Sequence, residues 1–95
     1  MRLDNDVKEF LKTAIKEKIP GAEVYLFGSR TNDEARGGDI DILILTQNRV
    51  EQKVFRPIRI EFYKKFGWQK LDLVNFAVDD QSPFRKLIEP DAILL

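Results

Sequence analysis

One stretch constrains this chain more than any other: LFGSRTNDEARGGDIDILI, from Leu26 to Ile44. Apolar residues lead into Gly28-Ser29, a polar connection carries Arg30, Arg36, Gly37 and Gly38, and Asp39-Ile40-Asp41 opens a run of isoleucines and leucines. Residues 39–46 read as a strand. Alternation then puts Asp39, Asp41, Leu43 and Leu45 on one face and Ile40, Ile42 and Ile44 on the other. The two carboxylates aim the same way, with Cα atoms roughly 6.6 Å apart. Like charges at the mouth of an apolar strand repel and resist burial, so a positive group belongs between them. The chain has no histidine and no cysteine, which removes the usual zinc ligands. An all-oxygen site favours a hard cation such as Mg²⁺.

Gly28-Ser29 supplies a second half-site. A glycine at a strand end allows close approach to the backbone. Residues 31–35 can form a short helix with Ser29 as its cap, and the free N–H groups of a helix start suit a phosphate. The plainer alternative is that Gly-Ser is a common turn pair and that the aspartates are solvated charges guarding a sheet edge. The combination favours a phosphate seat and a metal seat joined by one short connection.

GSR followed by GGDIDILI resembles the nucleotidyltransferase signature of the DNA polymerase beta superfamily: a Gly-Ser, a spacer, then an Asp-x-Asp strand. The length and the GSR form are most similar to the minimal nucleotidyltransferases, often the antitoxin half of HEPN/minimal-nucleotidyltransferase toxin–antitoxin pairs. The resemblance runs from about Val24 to Phe76. Two departures stand out. Gly38 occupies a position where many members carry serine, and Thr31-Asn32 follow Arg30 in place of the commoner GSRARG form, which leaves Arg36 without an assigned role.

At 95 residues the chain suits a single domain over 1–95 that buries about 60–68 % of its unfolded surface. Sixteen basic and sixteen acidic residues cancel, so bulk charge gives no argument for nucleic acid as a partner. The absence of cysteine removes disulfides and thiol chemistry. No apolar run reaches the length of a membrane span or a signal-peptide core, so the expectation is a soluble, cytoplasmic protein with no membrane partner.

Along the chain, residues 5–19 read as a helix with Val7, Phe10, Leu11, Ala14 and Ile15 on one face, Asp6 and Glu9 as a capping box, and Pro20-Gly21 as its end. Residues 23–27 read as a strand that delivers Gly28-Ser29. The strand at 39–46 should run antiparallel to it. A second helix is expected over 49–65, capped by Asn48, kinked at Pro57 and closed by Gly67, with an apolar stripe of Val50, Val54, Ile58, Phe62 and Phe66. That helix would gather Arg49, Lys53, Arg56 and Arg59 on one face, either as a solvated surface or as a contact for phosphates, an acidic partner or RNA.

Residues 70–76 read as a third strand, parallel to the second after a helical crossover. Parallel pairing would carry Asp72 to the end of the sheet that holds Asp39 and Asp41; the alternative is a lone edge charge. Ser82-Pro83 should open a short helix, with Phe84, Leu87 and Ile88 inward. Residues 92–95 form a final edge strand or await a partner. Trp68 and Phe66 are read as the rim of the core first and as interface residues second. The fold class is α+β: a small mixed sheet in two layers, with helices packed on one face, as in the polymerase-beta-like nucleotidyltransferases.

The resemblance implies nucleotidyl transfer with ATP as substrate and two Mg²⁺ ions held by Asp39, Asp41 and Asp72. Asp72 would also accept the attacking hydroxyl's proton. Gly28, Ser29, Arg30 and Gly38, with Asp39 and Asp41, would bind the nucleotide. Larger members of the superfamily add a second domain, so here the nucleotide is expected in an open half-site completed by another chain. The resemblance points to a HEPN toxin whose tyrosine hydroxyl accepts AMP. The alternatives are an antitoxin that only binds and blocks the toxin, and nucleotidyl transfer to RNA. A homo-oligomer stays open.

Overall fold

The computed structural model describes residues 4–27, 40–88, 90 and 92–95. Helix α1 (Asn5–Lys18) is followed by strands β1 (Glu23–Phe27) and β2 (Ile40–Thr46), a 3₁₀ turn at Gln52–Val54, helix α2 (Arg56–Phe66), strand β3 (Leu71–Ala77), helix α3 (Pro83–Ile88) and strand β4 (Ile93–Leu94). The strands form one mixed sheet in the order β3-β2-β1-β4. β1 and β2 are antiparallel, β2 and β3 parallel, and β4 lies antiparallel on the outer edge of β1. No described helix is long and apolar enough to cross a membrane.

The sheet has two unlike faces because side chains alternate along each strand. Val24 and Leu26 from β1, Ile40, Ile42 and Ile44 from β2, and Leu71 and Leu73 from β3 point to one side. There they pack with Leu11 and Ile15 of α1 and with Phe55, Ile58 and Phe62. Burying a side chain of this size is worth about 1.5–3 kcal/mol, so this layer is what holds the fold. On the opposite side Phe27, Leu43 and Leu45 make a smaller cluster with Tyr25, Val74, Phe76 and Ala92. Arg85 of α3 lines a hollow with Tyr25, Leu43 and Leu45 on that side.

The helix at 5–19, the strand at 23–27 and the pairing senses stand as expected. Others need correction. Asp4 is the N-cap of α1 and makes no side-chain cap bond, so the Asp6/Glu9 capping box is not formed. The continuous helix over 49–65 is a 3₁₀ turn followed by a shorter α-helix. Pro57 lies in the first turn of that helix, where a missing N–H costs nothing, and so starts the helix rather than kinking it. Asn48 does not cap it; its carbonyl accepts the Thr46 hydroxyl at 2.6 Å. The break also dissolves the basic face: Arg49 precedes the 3₁₀ turn, Lys53 lies in it beside Glu51 at 3.2 Å, and only Arg56 and Arg59 are on α2.

Leu87 is 73 % exposed and not inward; the side chains of Phe84 and Ile88 lie outside what is described. Trp68 is 80 % exposed and touches the protein through the Tyr63 ring, 5.1 Å away between centroids, so it is a surface residue and not a core rim.

Candidate active site

Three elements converge at one end of the sheet. Phe27, the last residue of β1 and the one before Gly28 in the chain, is the register partner of Asp41. On its other side Asp41 is the register partner of Asp72. Asp41 thus sits mid-sheet, flanked by the strand that leads into Gly28-Ser29 and by the strand that carries Asp72.

Both carboxylates are on the face opposite the main helices. Ile40 and Ile42 flank Asp41 and enter the helix-side core, as Leu71 and Leu73 do around Asp72, so alternation turns both aspartates the other way. Adjacent strands lie about 4.8 Å apart, which makes the two side chains neighbours. Each is half-buried. The start of β3 is pinned beside the start of β2 by the Ile40 N–H, which donates to the Lys70 carbonyl at 2.9 Å. The other end of the same pair is locked by a buried amide. Asn75 Nδ2 donates to the Ile44 carbonyl and to Thr46 Oγ1, each at 3.0 Å, and Asn75 Oδ1 accepts the Val50 N–H at 2.6 Å. The register that sets Asp41 against Asp72 is therefore fixed at both ends.

Of the residues singled out in the sequence, Asp41 and Asp72 are brought together. Gly28, Ser29, Arg30, Arg36, Gly38 and Asp39 lie outside the described residues. Among the described residues no group of three or more acidic, histidine or cysteine side chains is placed to hold a metal; the third expected donor, Asp39, is not among them. The donor set that is present is all-oxygen and half-buried, which fits a hard divalent cation. Sequence reasoning missed Asn75 and Phe55, both buried. For Asn75 the available signal was a polar residue alternating in phase with Leu71 and Leu73.

A mixed sheet backed by helices, with paired aspartates on its open face, is compatible with the nucleotidyltransferase class. The family model for the nucleotidyltransferase domain matches residues 8–93, most of the chain, and the chain belongs to that family. The family supports nucleotidyl transfer as the general activity, and its members generally use a divalent metal and a nucleoside triphosphate. No curated protein matches the chain.

Proposed function

We propose that this chain transfers AMP from ATP to a tyrosine hydroxyl of a partner HEPN toxin, in a Mg²⁺-dependent reaction, and so neutralises the toxin. The observation that carries the catalytic part is the register pairing of Asp41 with Asp72 on one half-buried face. The choice of AMP and of a toxin tyrosine comes from the resemblance of the GSR…GGDIDILI stretch to the minimal nucleotidyltransferases.

Asp39, Asp41 and Asp72 would hold the metal, as two ions. When bound, Mg²⁺ supplies neutralisation of the triphosphate charge and a lowered pKa at the attacking hydroxyl. The chain's own groups do the rest. Backbone N–H groups near Gly28-Ser29, the Ser29 hydroxyl and the Arg30 guanidinium would grip the β and γ phosphates. Asp72 orients the acceptor hydroxyl and takes its proton. The hydroxyl oxygen bonds to the α phosphorus as the bond from that phosphorus to the bridging oxygen breaks, and pyrophosphate leaves with the electron pair.

The test uses ATP labelled at the α phosphate, Mg²⁺ and the product of the neighbouring gene. Label is expected on that protein, and not when Asp41 is replaced by Asn. Neutralisation that persists without labelling would make the chain a binding antitoxin, and label on RNA would make the acceptor a nucleic acid.

A further inference from the structure

The helix layer carries a feature the catalytic reading does not use. Two hollows, of about 540 and about 470 Å³, open on the outer side of α1 and share Phe10, Ala14 and Glu17. They are two halves of one groove. Its floor is apolar: Phe10 and Ala14 from α1, Pro57 and Ile58 from α2. Phe10 is held in place by the Phe62 and Phe66 rings, at 6.2 and 5.6 Å between centroids.

The rim is acidic. Asp6, Glu9 and Glu17 line the groove, and none of them makes an ion pair among the described residues. Glu61 lines it too, with Lys64 at 4.0 Å. Two cations stand against these. Lys65 is committed to ring faces, its ammonium 5.7 Å from the centroids of both Phe10 and Phe66, and Lys18 sits at one end. An apolar trough edged by three carboxylates without an ion pair among the described residues selects an apolar stripe flanked by lysine or arginine.

From the structure we infer that the α1–α2 groove is a docking site for an amphipathic helix of a partner protein, basic on either side of its apolar stripe. The groove follows α1 from Asp6 to Lys18, which at 1.5 Å per residue accepts a helix of about 12 residues. Among the described helices none offers a second copy a matching stripe: Val7, Leu11 and Ile15 of α1 and Ile58 and Phe62 of α2 are buried, and α3 has six residues. The site lies on the face away from Asp41 and Asp72, so a bound helix would hold a partner while leaving the carboxylates open.

The inference is independent of catalysis and is tested without it. A fluorescent helical peptide with a leucine stripe and lysine flanks is titrated with the full chain, beside the same peptide with glutamate flanks. Binding of the lysine peptide is expected, weakened at least ten-fold by the double substitution Glu9→Lys/Glu17→Lys and unchanged by Asp41→Asn. The glutamate peptide should bind the doubly substituted chain better than the wild type. No binding of the lysine peptide, or binding that ignores the charge reversal, overturns the inference. So does sedimentation showing that the wild type self-associates through this face and that the double substitution abolishes it.

Discussion

Asp41 and Asp72 are register partners across the parallel β2–β3 pair, and alternation turns both onto the face that the main helices leave open. Nothing in packing asks for this, since an apolar pair would suit a sheet better. Two adjacent carboxylates repel unless a positive group sits with them, which makes the pair a candidate cation seat. Replacing either by Asn should therefore separate activity from stability. Transfer from ATP is expected to fall by at least ~10²-fold in either variant, while the melting temperature of Asp72→Asn without metal stays level or rises by a few degrees. A variant that loses activity only because it unfolds would contradict this; thermal denaturation run beside the transfer assay tells the two apart.

On the proposed reading the same pair makes stability depend on Mg²⁺. A ligand that binds only the folded state at 100 times its dissociation constant adds about 2.7 kcal/mol. For a domain of this size that is a rise of roughly 10–20 °C in melting temperature. The wild type should show a saturable rise on Mg²⁺ titration, and Asp41→Asn/Asp72→Asn should not. An equal rise in the double variant would place the ion elsewhere.

The elements that were legible in the sequence are those whose periodicity had one explanation. The face of α1 built on Val7, Leu11 and Ile15, the five residues of β1, and the crossover that makes β2 and β3 parallel all follow from local pattern plus connection length. The stretch from Val50 to Phe66 misled because its four-residue spacing survives a change of backbone geometry. Val50, Ile58 and Phe62 do face the core, yet a 3₁₀ turn intervenes and Phe55, outside the stripe, is fully buried. Pro57 was the correct clue with the wrong consequence. The pairing of Asp41 with Asp72 was legible because each stands near the start of its strand; Asp39 lies outside the described residues. The Gly28-Ser29 half stands on the sequence alone.

Gly67 ends α2 at φ +81° and ψ −176°, a region in which only glycine is unstrained. Its N–H donates to the Tyr63 carbonyl at 2.9 Å, and a Cβ there would meet no atom within 4 Å. The cost of Gly67→Ala is thus purely one of backbone strain, about 1–3 kcal/mol. Gly67→Asn should be no better, because asparagine relieves the ordinary left-handed cap and not this one. Urea denaturation measures both; an asparagine variant as stable as wild type would refute the conformation.

Asn75 is 3 % exposed and holds three partners from two segments: Ile44 and Thr46 on β2, and Val50 beyond it. Asn75→Ala would remove a partner from each, although the Thr46 hydroxyl keeps its bond to the Asn48 carbonyl and the Val50 N–H is partly buried. Each stranded group costs about 1–3 kcal/mol, and with partial relaxation the expected total is roughly 2–4 kcal/mol. Thr46 shares the network, so Asn75→Ala/Thr46→Val should cost less than the two single changes added together. A denaturant-based double-mutant cycle gives the coupling, and strict additivity would mean the two side chains act independently.

Acid should loosen the start of α3 before the sheet responds. Asp80 accepts the Ser82 N–H at 2.7 Å, and the Arg85 N–H donates to Ser82 Oγ at 3.4 Å, so Asp80 and Ser82 together form the helix cap. Hydrogen bonds from the Ser82 side chain and backbone hold the Asp80 carboxyl below its ordinary value of 3.8, against an opposing desolvation and with weaker help from Arg49 and Arg85. A carboxyl depressed in the folded state stabilises above the unfolded value and loses that contribution as pH falls through the folded one. The cap is therefore at full strength at neutral pH and weakens once the pH drops below 3.8. Amide-exchange protection at Arg85 and Lys86 should decline over that range relative to the amides of β2. In Asp80→Asn the protection should be lower at neutral pH and the decline should vanish. If the substitution leaves the acid-dependent decline intact, another group controls the cap.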